Sequence, residues 1–187
     1  MEEKSTFWKS AMMYGLYLGI AITLFSVILY VAGQTANKSL SYITFLLYAI
    51  GIIVAQINYR NKELNGTISY GQAVGIGVAM MLFAGIISAL YTIIIFKIDP
   101  GLIDQIKTMQ EEAMLKQGLS QDQVDAGMSM ASKMMTPGFI AISGLIVSVL
   151  FGTIISLVTS IFTKKQPDEN DFEEVMEDVK TEETSQE

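Results

Sequence analysis

The stretch that decides the fold is "NGTISYGQAVGIGVAMMLFAGIISALYTIIIF", Asn65 to Phe96, in which no side chain carries a charge. Its first residues, Asn65-Gly66, favour a turn. Ser69 suits a helix N-cap, and the run from there to Phe96 is apolar. The hydrocarbon core of a bilayer is crossed by about 20 apolar residues. The stretch therefore reads as a turn at the membrane surface followed by a transmembrane helix, 69–96. The same test applied to the rest of the chain finds three more charge-free runs: Ser10 to Asn37, Ser39 to Tyr59 and Met134 to Thr163. These predict spans at about 10–33, 40–59 and 138–162. Pro137 opens the last one, where a missing N–H costs little.

Composition agrees. Of 187 residues, 51% are hydrophobic and 17% charged, against about 25% charged in ordinary soluble domains. The expected fold class is an all-α membrane protein: four transmembrane helices in a bundle, a helical extracytoplasmic loop (97–137) between the third and fourth, and a disordered acidic tail (166–187). The first run is too long for a signal peptide and its leader is not clearly basic, so it reads as a retained helix with Phe7 and Trp8 in an interfacial aromatic belt.

The chain has no cysteine and no histidine. Disulfide and thiol chemistry are excluded, as are His-based metal, haem and triad sites within this chain. Predicted spans hold no ionisable residue, the usual mark of a proton or ion path. Loop carboxylates Asp99, Asp104, Glu111 and Glu112 read as solvated charges. No catalytic residue, cofactor or resident metal is expected, and no nucleic-acid partner.

Gly71, Gly75 and Gly77 follow the turn, but no phosphate-binding lysine accompanies them and no strand precedes them. The plainer reading is a junction that sets how the second and third helices pack. Ser69 would cap the third helix, and Gln72 would bond the end of the second, where Gln56, Asn58 and Arg60 lie. Arg60, Ser69, Tyr70, Gly71 and Gln72 are the candidate structural or binding junction.

Small residues recur at every fourth position: Gly144, Ser148, Gly152, Ser156 and Ser160; Ala11, Gly15, Gly19 and Thr23; Gly71, Gly75 and Ala79. Such stripes let helix backbones approach closely in lipid. Gly15, Gly19, Gly75, Gly144, Ser148, Gly152 and Ser156 are the expected packing positions. They serve either contacts within the chain or a seam between copies in a homo-oligomer. A four-residue step drifts about 40° on a 3.6-residue helix, so a five-member stripe can serve more than one neighbour.

Between the third and fourth spans, Leu102, Ile103, Ile106, Met109 and Met114 recur at near-helical spacing and Gly118 can end a helix. Ser120 with Gln123 forms a capping box for a second one. A helical hairpin on or near the membrane surface is expected. Its methionines, Met109, Met114, Met128, Met130, Met134 and Met135, suit a soft metal such as Cu(I), but more commonly fill an apolar helix face. The tail holds ten of the nineteen acidic residues, too polar to build a core. Phe172, Val175, Met176 and Val179 within it are spaced for a short partner-bound helix.

Lys4, Lys9, Arg60, Lys62, Lys164 and Lys165 fall on one side of the four spans, and Lys38, Lys97, Lys107, Lys116 and Lys133 on the other. The first set is clustered at helix ends. By the positive-inside rule both termini are expected in the cytoplasm, with the chain in the cytoplasmic membrane.

The motifs "MYGLYLG" (Met13–Gly19), "NGTISYGQAVGIG" (Asn65–Gly77), "FKIDPGL" (Phe96–Leu102) and "GTIISLVTSIFTKK" (Gly152–Lys165), in this order and spacing, resemble the bacterial membrane family named domain of unknown function 4199, found mainly in Bacteroidota. The resemblance runs from Met12 to Lys165. It implies a four-helix membrane domain in which Ser69, Tyr70, Gly71, Gln72 and Asp99 match the family pattern, and it implies no activity. The expected role is that of a non-enzymatic integral membrane protein acting through helix packing and partner binding, its partners being the lipid bilayer and a protein bound to the acidic tail. The alternatives are a small transport or channel component formed by oligomerisation and a soft-metal site on the methionine loop.

Overall fold

A computed structural model describes residues 2–35 and 38–165. They form six helices: α1 (Glu2–Val31), α2 (Lys38–Glu63), α3 (Tyr70–Ile98), α4 (Gly101–Lys116), α5 (Gln121–Met134) and α6 (Pro137–Thr163). Among the described residues the one β-type feature is an isolated antiparallel bridge between Ile68 and Lys165. The acidic tail, including Phe172, Val175, Met176 and Val179, lies outside the described residues.

Helices α1, α2, α3 and α6 are each long and apolar enough to cross a membrane. They outrun the charge-free stretches. Helix α1 begins well before Ser10 and α2 continues past Tyr59 to Glu63, because Lys, Glu and Arg are good helix formers and nothing breaks α2 before Asn65-Gly66. Both residues of that pair adopt positive φ, 50° and 87°, and the Gly66 N–H donates to the Arg60 carbonyl at 2.9 Å. At 29 residues, α3 is about 43 Å long, more than the hydrocarbon thickness of about 30 Å. Its ends therefore stand in the headgroup regions, or the helix tilts.

Helix α3 is the hub. It packs along both α6 and α1, while α2 contacts α1, α3 and α6. The core falls into two connected layers. One gathers Leu18, Ile22, Ile52, Ala55, Met80, Met81 and Ala84. The other, toward the start of α3, gathers Ala11, Tyr59, Ile68, Ala73, Ile76 and Ala79. Outward-facing positions are apolar too: Leu24 and Ile28 on α1, Leu90 and Ile94 on α3, Leu150 and Ile154 on α6 are exposed. An apolar exterior around helices brought close by small residues is what lipid as solvent selects, since helices there associate by close packing rather than by hydrophobic exclusion.

Phe7 and Trp8 part company. Trp8 is 52% exposed, where a belt residue belongs. Phe7 turns inward, edge-on to Tyr59 with ring centroids 5.9 Å apart, and closes the second core layer.

The small-residue stripes divide as their drift requires. A Cβ on Gly15 would stand 2.5 Å from the Met80 carbonyl oxygen, and one on Gly19 would stand 3.1 Å from the Ala84 Cα. These two let α1 and α3 meet backbone to backbone. Gly152 is closed over by the Met81 side chain, and Ser148 fits against Gly85. Two of the expected packing positions make no close contact within the chain. Gly144 has nothing within 4 Å of where its Cβ would be; two steps back from Gly152, the stripe has turned about 80° and left the interface. Gly75 has only ordinary contact with Phe7, at 3.7 Å. Near the start of α3 the tight position is instead Gly77, which meets Ser156. Residues two apart on a helix point about 160° away from each other, so only one of this pair can face α6.

The segment between α3 and α6 is the helical pair α4 and α5. They pack on each other, and α4 also meets α3. Gly118, with φ of 85°, ends the first, and the Ser120 N–H donates to Gln123 Oε1 at 3.0 Å to start the second. Buried apolar residues are few: Leu102 on α4 and Val124 on α5.

Candidate functional site

Two polar features lie at opposite ends of the bundle. The first joins the end of α2, the start of α3 and the end of α6. At its centre is Gln56, fully buried. The two hydrogens of its side-chain NH2 are shared among three acceptors, the Ala73 carbonyl at 3.0 Å, Ser160 Oγ at 3.0 Å and Ser156 Oγ at 3.1 Å. Its Oε1 accepts from Thr163 Oγ1 at 2.9 Å. Ser156 Oγ in turn donates to the Val74 carbonyl at 3.1 Å. One amide thus binds three helices. Gly77 lets this happen, since any side chain there would occupy the place of Ser156 Oγ.

Nearer the surface, Arg60 Nη1 donates to the Thr163 carbonyl at 3.0 Å. This satisfies one of the carbonyls a helix leaves open at its C-terminus, with a cation at the negative end of the α6 dipole. Tyr70 Oη donates to the Leu157 carbonyl at 3.1 Å. Ile68 and Lys165 exchange backbone hydrogen bonds at 2.8 and 3.1 Å. The turn before α3 is thereby fastened to the end of α6.

Of the five junction residues read from the sequence, Arg60 and Tyr70 are brought together on α6. Ser69 and Gln72 are not part of that fastening. The Gln72 N–H donates to Ser69 Oγ at 3.3 Å and the Ser69 N–H donates to Gln72 Oε1 at 3.0 Å, a reciprocal capping box. Gln72 therefore does not reach α2, because its side chain is spent on its own helix start. Asn58 likewise donates to Val54 O within α2. Gly71 has open space around it. The residues that carry the junction, Gln56, Ser160 and Thr163, were readable in part. Gln56 interrupts an apolar run, and Ser156, Ser160 and Thr163 share one helical face at i, i+4, i+7.

The second feature is a cleft of about 250 Å³ between the C-terminal ends of α1 and α3 and the first turns of α4. Tyr30 Oη donates to Asp99 Oδ2 at 3.1 Å, and Asp99 Oδ1 accepts from the Gly101 N–H at 3.1 Å. Asp99 thus ties α1 to the elbow where α3 gives way to α4. The methionine set is divided between places. Met109 lines the cleft, Met114 packs on Gly127 of α5, and Met130 and Met134 are exposed.

Four apolar spans packed through small residues, with a buried polar tie at the junction, define an integral membrane helical bundle. The family described as protein of unknown function (DUF4199) matches residues 13–165, and the chain belongs to that family. No curated protein and no solved structure matches the chain.

Proposed function

We propose that this is a non-enzymatic protein of the cytoplasmic membrane, a rigid bundle that presents the α4–α5 hairpin on one side and its two termini on the other for binding partners. The observation that carries this reading is the Gln56 tie. Where the spans bring polar side chains together, the donors and acceptors are spent on one another and on backbone carbonyls. Such a centre locks helices and offers no free group for proton transfer or nucleophilic attack.

The orientation follows from the basic residues. Phe7 packs on Tyr59 and Gly75, so the start of α1 lies beside the end of α2 and the start of α3. Lys9, Arg60, Lys62, Lys164 and Lys165 therefore belong to one end, and Lys97, Lys107, Lys116 and Lys133 to the other. The first group crowds the helix ends, which supports a cytoplasmic junction and an extracytoplasmic hairpin.

Reporter fusions at Lys62, Lys116 and the C-terminus test this. Cytoplasmic signals at Lys62 and the C-terminus with an external signal at Lys116 are expected; the reverse pattern overturns the orientation. A transport or channel role would require a pore between copies. Solute or ion flux through liposomes holding the purified protein would replace the scaffold reading with that one.

A further inference from the structure

We propose that the cleft between α1, α3 and α4 is a binding site for an uncharged acyl lipid of the mono- or diacylglycerol type, with its polar head among the hydroxyls and the first carbons of its chain against the apolar wall. This goes beyond the scaffold reading, which gives the bundle no ligand.

Among the described residues the wall carries no charged side chain, so none of them pairs with a phosphate or an ammonium. The carboxylate at its edge, Asp99, is engaged by the Tyr30 hydroxyl and the Gly101 N–H. Six of the twelve lining residues bear a hydroxyl or amide, while the surface they present to the cleft is mostly apolar. On the apolar side stand Leu29, Ile95, Phe96 and Ile106. On the polar side, Ser26, Tyr91 and Gln105 make no side-chain hydrogen bond among the described residues, in contrast to Thr92, which donates to the Ser88 carbonyl at 2.8 Å. Ser26 and Tyr91 are half-buried on membrane-spanning helices, where water does not readily supply the missing partner and an unmade hydrogen bond is costly. A hydroxyl or ester group supplies it.

Position narrows the ligand further. The cleft sits where α1 and α3 end and the amphipathic α4 begins, the level at which acyl chains meet headgroups. Exposed apolar residues, Ile94 and Ile98 on α3 and Val27 and Ile28 on α1, continue from it along the lipid-facing surface and give a chain its exit. At 250 Å³ the cleft is roughly eight times the ~30 Å³ share of one liquid water. It therefore takes a glycerol-sized head and a few methylenes, and leaves the remaining chain in the bilayer.

The test is photolabelling of the full chain in nanodiscs with diazirine-bearing diacylglycerol, and separately with diazirine-bearing phosphatidylglycerol, each mapped by mass spectrometry. The expected result is diacylglycerol label concentrated on residues 26–35, 91–96 and 102–109. Tyr91→Phe, which removes one hydroxyl, and Gln105→Leu, on exposed α4, should each lower that label about fivefold, the loss of one hydrogen bond. Both variants are checked for an unchanged elution profile. Ser26→Leu, which narrows the cleft, should lower it further. Label spread evenly over the lipid-facing helices overturns the proposal, as does cleft label that Tyr91→Phe and Gln105→Leu leave unchanged. Preferential labelling of the cleft by phosphatidylglycerol overturns the uncharged head.

Discussion

Gln56 concentrates more structural consequence than any other side chain of the junction. Its amide meets groups from α3 and α6 in a setting where water cannot replace them. Interhelical hydrogen bonds in membranes average about 0.6 kcal/mol and reach about 1.7 kcal/mol, and stranding a buried partner adds to the loss. Gln56→Leu keeps the approximate size and removes every one of these bonds, so we expect a loss of about 1–3 kcal/mol in mixed-micelle denaturant unfolding. Asn58→Leu, two residues away and bonded only within its own helix, should stay within about 0.5 kcal/mol. Equal effects would mean that the tie contributes nothing beyond helix propensity. Sequence reading pointed to this neighbourhood and chose the wrong amide as its bridge. Gln72 and Gln56 are chemically identical candidates. What separates them is that Gln72 stands three residues after a serine at a helix start, where the local capping bond forms without any tertiary contact.

At the scale of the elements, the four spans and the hairpin were legible because charge is excluded from the bilayer core and because caps and glycines punctuate helices. Which side of each helix faces a neighbour was less so. A stripe of small residues marks close approach but winds around the helix, and its spacing does not say where the neighbour sits. Gly144 and Gly152 belong to one stripe, yet only Gly152 is covered, by Met81. Gly152→Leu should therefore force α6 away from α3 at about 1–3 kcal/mol, lowering the melting temperature in detergent. Gly144→Leu should leave it within the scatter of surface changes, about 0.5 kcal/mol, or raise it slightly through better helix propensity. A comparable drop for Gly144→Leu would place a neighbour against that face that the single chain does not show.

Across the whole molecule, stability should be divided between two bodies of different character. The bundle holds α3 against three helices and buries polar ties between them. The α4–α5 pair buries only Leu102 and Val124 and makes its ion pairs, Lys107 with Asp104 and Lys116 with Glu112, on exposed side chains, where such pairs contribute little. The pair is anchored to the spans at its beginning, where Asp99 holds Tyr30 and the first N–H of α4. Local opening follows the number of buried apolar contacts and the exposure of backbone hydrogen bonds. Hydrogen exchange in nanodiscs should therefore show a gradient: fast exchange through α5 and the far half of α4, slower exchange at residues 101–105, and strong protection of α3 around Ala73 to Ala84. Asp99→Ala, by releasing both bonds, should extend the fast region back to the start of α4 while leaving α3 beside Gln56 protected. If the substitution instead loosens α3 along its length, the hairpin is not a separate appendage but part of what holds the spans together, and its removal would unfold the bundle.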